Sequence, residues 1–209
     1  MAPADGLLAL GGDLVEERLL DAYRRGIFPW YESGQPLLWW SPDPRYVLRP
    51  ADLRVSRSLA QRIRSGRFEV RYDTVFPRVI RACANIRRKG EHGTWITSAM
   101  IKAYERLFDR GYAHSIESWR GGILAGGLYG VSLGASFFGE SMFTHESDAS
   151  KVAFVHLVER LSGWGFSIID CQMQTDHLER FGARDMPRSE FLRRLETSLK
   201  AETRRGRWS

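Results

Sequence analysis

Asp170 stands at the end of an apolar run, Phe166-Ser167-Ile168-Ile169, and Gln172 follows two residues on. A carboxylate at a strand end, where a sheet edge is expected to meet a cleft, can accept or polarise a proton, and a residue two along an extended chain faces the same side, so an amide there could relay it. On the residues alone the commoner reading comes first: Asp170 caps a turn and Gln172 satisfies backbone groups. A second carboxylate, Glu140, lies in Gly139-Glu140-Ser141-Met142-Phe143, which is followed by Ala149-Ser150-Lys151. Ser141 in that string lacks the second glycine of a nucleophile elbow, which argues against a serine hydrolase. His92, His114, His145, His156 and His177 are scattered, and the two cysteines have no metal spacing, so a zinc site is not expected. Arg160-Leu161-Ser162-Gly163-Trp164-Gly165 fits the R-x-x-G-x-G pattern that holds a coenzyme pyrophosphate. Here, however, a predicted helix ends and a strand follows. A phosphate cradle needs the reverse order, with free N–H groups at a helix start.

These groups need elements to position them. Asp13 with Glu16 has the pattern of a capping box, Leu14, Leu19, Leu20 and Tyr23 give a helical stripe, and Gly26 stops it. The stretch Pro29 to Pro50 holds Trp30, Tyr31, Trp39, Trp40 and Ser41-Pro42-Asp43-Pro44. Its prolines forbid a long helix and predict short strands and turns in a compact lobe ending near Pro44. Beyond it the pattern predicts a basic helix over Arg57–Ser65, a strand over Phe68–Tyr72 and a helix over Val75–Arg88. Another helix, capped by Thr97, reaches Arg110. Strands are predicted over His114–Trp119, Ile123–Tyr129 and Ser132–Phe138, with Arg120-Gly121-Gly122, Gly130 and Gly134 as punctuation. A helix over Ala149–Leu161, a buried strand over Phe166–Cys171 and a last helix capped by Ser189 complete the chain. The expected class is an α/β mixture (α+β) with a mostly antiparallel central sheet, because hairpins of this kind do not suit a doubly wound parallel sheet.

A chain of 209 residues, 43% apolar and 27% charged, suits one large domain or a domain with a small addition. No apolar run approaches the roughly 20 residues a membrane span needs. Met1 to Gly12 does not read as a secretion signal. Cys83 and Cys171 cannot build a disulfide framework, so a reducing, cytoplasmic setting is expected. Nothing suggests a coiled coil, and a monomer is expected. Lys and Arg number 31 against 25 acids, a net charge of +6, with a pI near 9.6. The arginines cluster: Arg54, Arg57, Arg62, Arg64, Arg67 and Arg71, then Arg78, Arg81, Arg87, Arg88 and Lys89. Such a patch suits phosphates; a solvated helix face is the competing reading.

Three ordered sets of strings go further. The first is Leu7-Leu8-Ala9-Leu10-Gly11-Gly12-Asp13-Leu14, Tyr23-Arg24-Arg25-Gly26-Ile27-Phe28-Pro29-Trp30 and Leu38-Trp39-Trp40-Ser41-Pro42-Asp43-Pro44-Arg45. The second is Phe138 to Phe143 with Ala149-Ser150-Lys151. The third is Ile169-Asp170-Cys171-Gln172 with Asp176-His177 and Leu178 to Gly182. Together with Gly93-Thr94-Trp95-Ile96-Thr97 and His114-Ser115-Ile116-Glu117, they closely resemble the bacterial leucyl/phenylalanyl-tRNA–protein transferases. The resemblance runs from about Leu7 to Leu195. It implies that Leu or Phe, and sometimes Met, is taken from its tRNA and joined to a protein whose N-terminus is Arg or Lys, which marks the target for N-end-rule degradation. It further implies a small N-terminal domain (1–44) and a catalytic domain (45–209) similar to the acetyltransferase (GNAT) fold, with no metal or organic cofactor.

The resemblance also implies roles. Asp170 becomes the catalytic carboxylate, acting partly through Gln172. Trp30, Trp95, Glu140 and Ser141 fall at the aminoacyl-adenosine site, where an aromatic face can stack a base. Glu140 could meet the ribose, the base edge or the acceptor's cationic side chain, with a structural salt bridge as the equal competing reading. Leu128, Phe137, Met142 and Phe143 read as an adaptable apolar pocket for the transferred side chain; Phe137 could instead be plain core. Arg57, Arg62, Arg64 and Arg67 would meet tRNA backbone phosphates. Leu157 stands where relatives can carry Phe, and is left out of the expected site. The competing functions are an acetyl-CoA-dependent N-acetyltransferase, which lacks its pyrophosphate loop here, and a non-catalytic tRNA-binding module, which leaves the Asp170 and Glu140 strings unexplained.

Overall fold

The computed structural model describes residues 6–86 and 95–208; the predicted basic run Arg87-Arg88-Lys89, His92 and the pair Gly93-Thr94 lie outside them. Near the N-terminus, β1 (Leu7–Leu10), β2 (Phe28–Pro29) and β3 (Leu38–Trp40) form a three-stranded sheet in the order β1-β3-β2. The helix α1 (Glu16–Arg24) lies between β1 and β2 in the chain. It starts later than the capping-box pattern predicts: Asp13 accepts from the Val15 N–H at 3.2 Å and pairs with Arg18 at 2.9 Å instead of capping N3. Gly26, at φ +70°, ends it as expected.

The main sheet has seven strands: β4 (Arg45–Leu48), β5 (Glu69–Tyr72), β6 (Ala113–Arg120), β7 (Ile123–Leu133), β8 (Ser136–Thr144), β9 (Ile168–Gln172) and β10 (Arg184–Met186). Their order is β10-β4-β9-β8-β7-β6-β5, antiparallel except for the β8–β9 pair. Around it lie α2 (Arg57–Arg64), α3 (Phe76–Asn85), α4 (Ser98–Asp109), α5 (Ala149–Gly163), α6 (Asp176–Arg180) and α7 (Arg188–Ser198). Both faces of the sheet are covered, and the period of two in its strands divides the core accordingly. Val47, Phe138 and Ile168 point to the side shared with α1, α3 and α4. Leu48, Phe137 and Ile169 point to the side covered by α5. The mixed class with a mostly antiparallel sheet is as the sequence predicts.

Three local readings are corrected. Gly130 is not a turn but lies within β7, where a side chain would sit 2.2 Å from the Phe138 carbonyl oxygen and 2.5 Å from the Phe137 ring; the turn comes four residues later at Gly134, φ +55°. The Glu140 string therefore lies on a strand, β8. Ser189 does not cap the last helix but lies inside α7, whose first N–H, that of Arg188, is held by the Asp43 carboxylate at 3.0 Å. Asp170 is on an inner strand flanked by β4 and β8, not at a sheet edge.

Candidate active site

The site begins where two strands part. The parallel pair β8–β9 is in register over only three positions, ending at Phe138 opposite Asp170. Beyond it, β8 continues along β7 through Gly139 to Thr144, while β9 turns at Gln172, a non-glycine residue at φ +63°. A crevice opens at the carboxyl ends of both strands, the position at which open α/β sheets bind ligands. The resulting cavity holds about 560 Å³.

Of the predicted residues, Trp30, Trp95, Leu128, Phe137, Glu140, Ser141, Met142, Phe143 and Gln172 all line this cavity. Its apolar part also includes Phe154, Leu157 and Ile169. Leu157, set aside on the sequence because it departs from relatives, is thus one of the walls. Leu128, Phe137 and Phe143 are buried at 3% exposure or less, so they serve core and cavity together. Trp30 is 36% exposed, braced edge-on by Trp40 at 5.9 Å, and its backbone carbonyl accepts from the Trp40 indole N–H at 2.7 Å. It offers a fixed aromatic surface at the rim.

Among the described residues Glu140 pairs with no cation, so the salt-bridge reading does not hold there. Its Oε1 accepts from the Tyr23 hydroxyl at 2.7 Å and from Gln172 Nε2 at 3.1 Å, and its Oε2 accepts from the Tyr104 hydroxyl at 2.9 Å. Tyr23 and Tyr104 also hydrogen-bond to each other. Burial pushes the Glu140 carboxyl up to about 7; the three hydrogen bonds hold it down in part, and the Asp170 charge raises it further. Burial, then the Glu140 charge, drives both tyrosines well above the usual phenol range. Because the Gln172 amine end faces Glu140, its carbonyl end is turned away. Glu140 is the only carboxylate among the described residues that line the cavity.

Asp170 does not line the cavity. It is wholly buried, and Arg45 grips it bidentately: Nε to Oδ1 at 2.8 Å and Nη2 to Oδ2 at 2.6 Å. The expected side-chain relay along an extended chain is replaced by a different link, in which the Gln172 backbone N–H donates to Asp170 Oδ1 at 2.9 Å. Arg45, Tyr23 and Tyr104, which the sequence reading did not single out, hold the Asp170 and Glu140 carboxylates. Tyr23 reads as part of the first helix's apolar stripe, Tyr104 lies unmarked inside the predicted helix from Thr97 to Arg110, and Arg45 gives no sign of its partner.

The predicted arginines lie outside the cavity but are linked to its mouth. Lys151, a lining residue, donates to Asp148 Oδ1 at 2.8 Å, and Arg62 pairs with Asp148 Oδ2 at 3.7 Å. Arg67 pairs with Glu146 at 3.2 Å. Arg57 and Arg64 are exposed, with no carboxylate within ion-pair reach among the described residues. No helix of the described residues is long and apolar enough to cross a membrane.

Comparison with known proteins gives the family. The family model for leucyl/phenylalanyl-tRNA protein transferase matches residues 47–196, and that for its N-terminal domain matches residues 12–43. The leucyl/phenylalanyl-tRNA–protein transferase of Myxococcus xanthus (strain DK1622) is 58% identical over 208 residues, covering 100% of this chain and 89% of that protein. That of Anaeromyxobacter sp. (strain K) is 60% identical over the same shares. The structure of L-PGS from Bacillus licheniformis superposes with a TM-score of 0.43 at 10% identity, over 76% of this chain and 52% of that one, a likeness too slight to carry an argument. The chain belongs to the leucyl/phenylalanyl-tRNA protein transferase family, and it is an aminoacyltransferase that moves an aminoacyl group from tRNA to protein.

Proposed function

We propose that the protein transfers Leu or Phe, and also Met, to the α-amine of proteins that begin with Arg or Lys, and so marks them for degradation in the cytoplasm. The observation that carries this reading is the division of one cavity. Leu128, Phe137, Met142, Phe143, Phe154 and Leu157 form an apolar chamber, and the Glu140–Gln172 pair stands beside it. A chamber walled by Phe, Leu and a flexible Met discriminates among apolar side chains only weakly, by about 1 to 3 kcal/mol per methylene.

The chemistry is aminolysis of an ester. The acceptor nitrogen attacks the aminoacyl carbonyl, the bond to the ribose oxygen breaks, and the proton shed by nitrogen ends on that oxygen. An α-amine has a pKa of roughly 7.7 to 8.0, so part of it is neutral at pH 7.5. The Gln172 carbonyl oxygen, turned from Glu140, orients the amine N–H. Orientation of two bound reactants is worth about 7 to 11 kcal/mol in favourable cases. Glu140 fixes that amide and supplies the negative charge next to a cationic acceptor end. Asp170 acts one step back, through the Gln172 backbone. Trp30 and Trp95 stack the terminal adenosine, with Ser141 beside it. Lys151 at the mouth leads to Arg62, Arg67, Arg57 and Arg64 on and after α2, which hold tRNA phosphates. The single parallel pair in an antiparallel sheet supports the GNAT-like reading of the catalytic part, and we take the protein to act as a monomer.

The test is direct. Purified protein is mixed with radiolabelled Leu-tRNA and an acceptor beginning with Arg, with parallel tubes holding an acceptor beginning with Ala and labelled acetyl-CoA. Label from Leu-tRNA on the Arg acceptor alone is expected. Label from acetyl-CoA instead would refute the donor, and equal labelling of the Ala acceptor would refute the acceptor rule.

A further inference from the structure

We propose that Arg45 is the positioning residue of this site: by holding Asp170 it fixes the turn that carries the Gln172 amide into the cavity. The inference rests on the aminoacyl-transfer reading above and concerns a residue outside both the cavity lining and the predicted site.

Every side of the Arg45 guanidinium is used. Two nitrogens grip Asp170, and Nη1 donates to the Gly26 carbonyl at 3.0 Å. The Phe28 and Phe191 rings lie against it, each with its centroid 4.7 Å from the guanidinium carbon. Arg45 is 1% exposed. Four separate elements therefore meet on one side chain: the α1–β2 turn, β2, α7 and β9. Gly26 is required at that point, since a side chain there would sit 2.8 Å from Phe191 and Leu192.

A buried ion pair of this kind adds little stability over a well-packed apolar pair, because desolvation offsets the attraction. What it adds is an oxygen in a fixed place. Asp170 Oδ1 takes the Gln172 N–H at 2.9 Å, two residues along from Asp170 itself. That bond holds Gln172 in the left-handed region, which a side-chain-bearing residue enters at a cost. Without that bond Gln172 is free to leave the left-handed region, and its side-chain amide would then no longer be held against Glu140. Neither Arg45 nor Asp170 lines the cavity, so both act through Gln172.

The test compares the wild type with Arg45→Lys and with the double variant Arg45→Met/Asp170→Leu. It reads kcat and KM for Leu-tRNA, the thermal melt, and hydrogen exchange at the Gln172 amide by NMR. The double variant should melt near the wild type, since an apolar pair replaces the ion pair. Its kcat should fall about 100-fold, the cost of a misplaced reacting group, with KM for Leu-tRNA held within about threefold. The Gln172 amide should exchange about tenfold faster, because its acceptor is gone. Arg45→Lys keeps the charge but not the fork, and should fall between the two in kcat and in exchange. A folded double variant with near-wild-type kcat, or a loss confined to KM, would overturn the proposal. Should the double variant not fold, Arg45→Lys decides: unchanged kcat and unchanged Gln172 exchange would overturn it equally. A wild type that transfers nothing would defeat the transferase reading, while the exchange experiment would still test Arg45.

Discussion

Tyr23, Tyr104 and Glu140 bring three acceptor groups into mutual contact with only two hydroxyl hydrogens between them. When Glu140 is ionised, one of the three contacts lacks a hydrogen; a proton on the carboxyl supplies it. This geometry agrees with the elevated Glu140 pKa of about 7, whose main cause is burial. The unfolded chain holds that proton only below about pH 4.3. Between these values the folded protein binds more protons than the unfolded one, so stability falls as pH rises. The contribution is complete below the unfolded pKa and lost by passage through about 7. At about 1.36 kcal/mol per pKa unit, moving from pH 5 to pH 8 removes roughly 2 to 3 kcal/mol. Urea denaturation of the wild type and Glu140→Gln at pH 5, 6, 7 and 8 isolates this term, because all other titrating groups cancel in the difference. The wild type should lose roughly 2 to 3 kcal/mol relative to the variant over that range. Parallel curves would refute the buried, proton-binding carboxyl. A wild type that gains relative stability with pH would show that the tyrosines and Gln172 outweigh burial.

Other perturbations separate the remaining parts. Met142→Ala opens the apolar chamber at a half-buried wall; kcat/KM for Leu transfer should drop about tenfold with an unchanged melt, measured against Phe as a second donor. Arg57→Ala with Arg64→Ala removes cations that have no carboxylate partner among the described residues, and the salt slope of tRNA binding should fall by about 1 to 2; an unchanged slope excludes this helix from the contact. Gly130→Ala forces a methyl against the Phe138 carbonyl and the Phe137 ring, and urea denaturation should show a loss of about 1 to 3 kcal/mol.

The apolar pattern placed β5, β6, β7 and β9, but it ran one strand, Ser132–Phe138, across the Gly134 turn and gave no range for β4 or β10; glycine and threonine signals placed the helix ends at Gly26 and Thr97. Turn chemistry misled where glycine served a close approach rather than a bend, as at Gly130. The cavity's lining was legible because Glu140, Met142, Phe143 and Gln172 sit in strings short enough to read as units. Arg45 was not legible. Its partner lies 125 residues away, and no local period marks an arginine in a four-residue central strand whose every residue is buried. Tyr23 and Tyr104, 81 residues apart, look apolar to a helical pattern, which is blind to where a hydroxyl ends. Leu157 was set aside because relatives can carry Phe there, yet it lines the cavity from α5 all the same.

The position of β4 has a kinetic side. Strands β6, β7 and β8 follow one another within residues 113–144 and can pair as each is formed. β4 instead lies between β9 and β10, both more than a hundred residues further along. Closing that loop costs chain entropy before any contact repays it. We therefore expect refolding to restore the meander and its circular dichroism first, with Arg45 meeting Asp170 last. Aliquots assayed for transfer during refolding should lag the spectral signal, and simultaneous recovery would contradict this order. The long-range strand that completes the site thus also sets the time at which a newly folded molecule becomes competent.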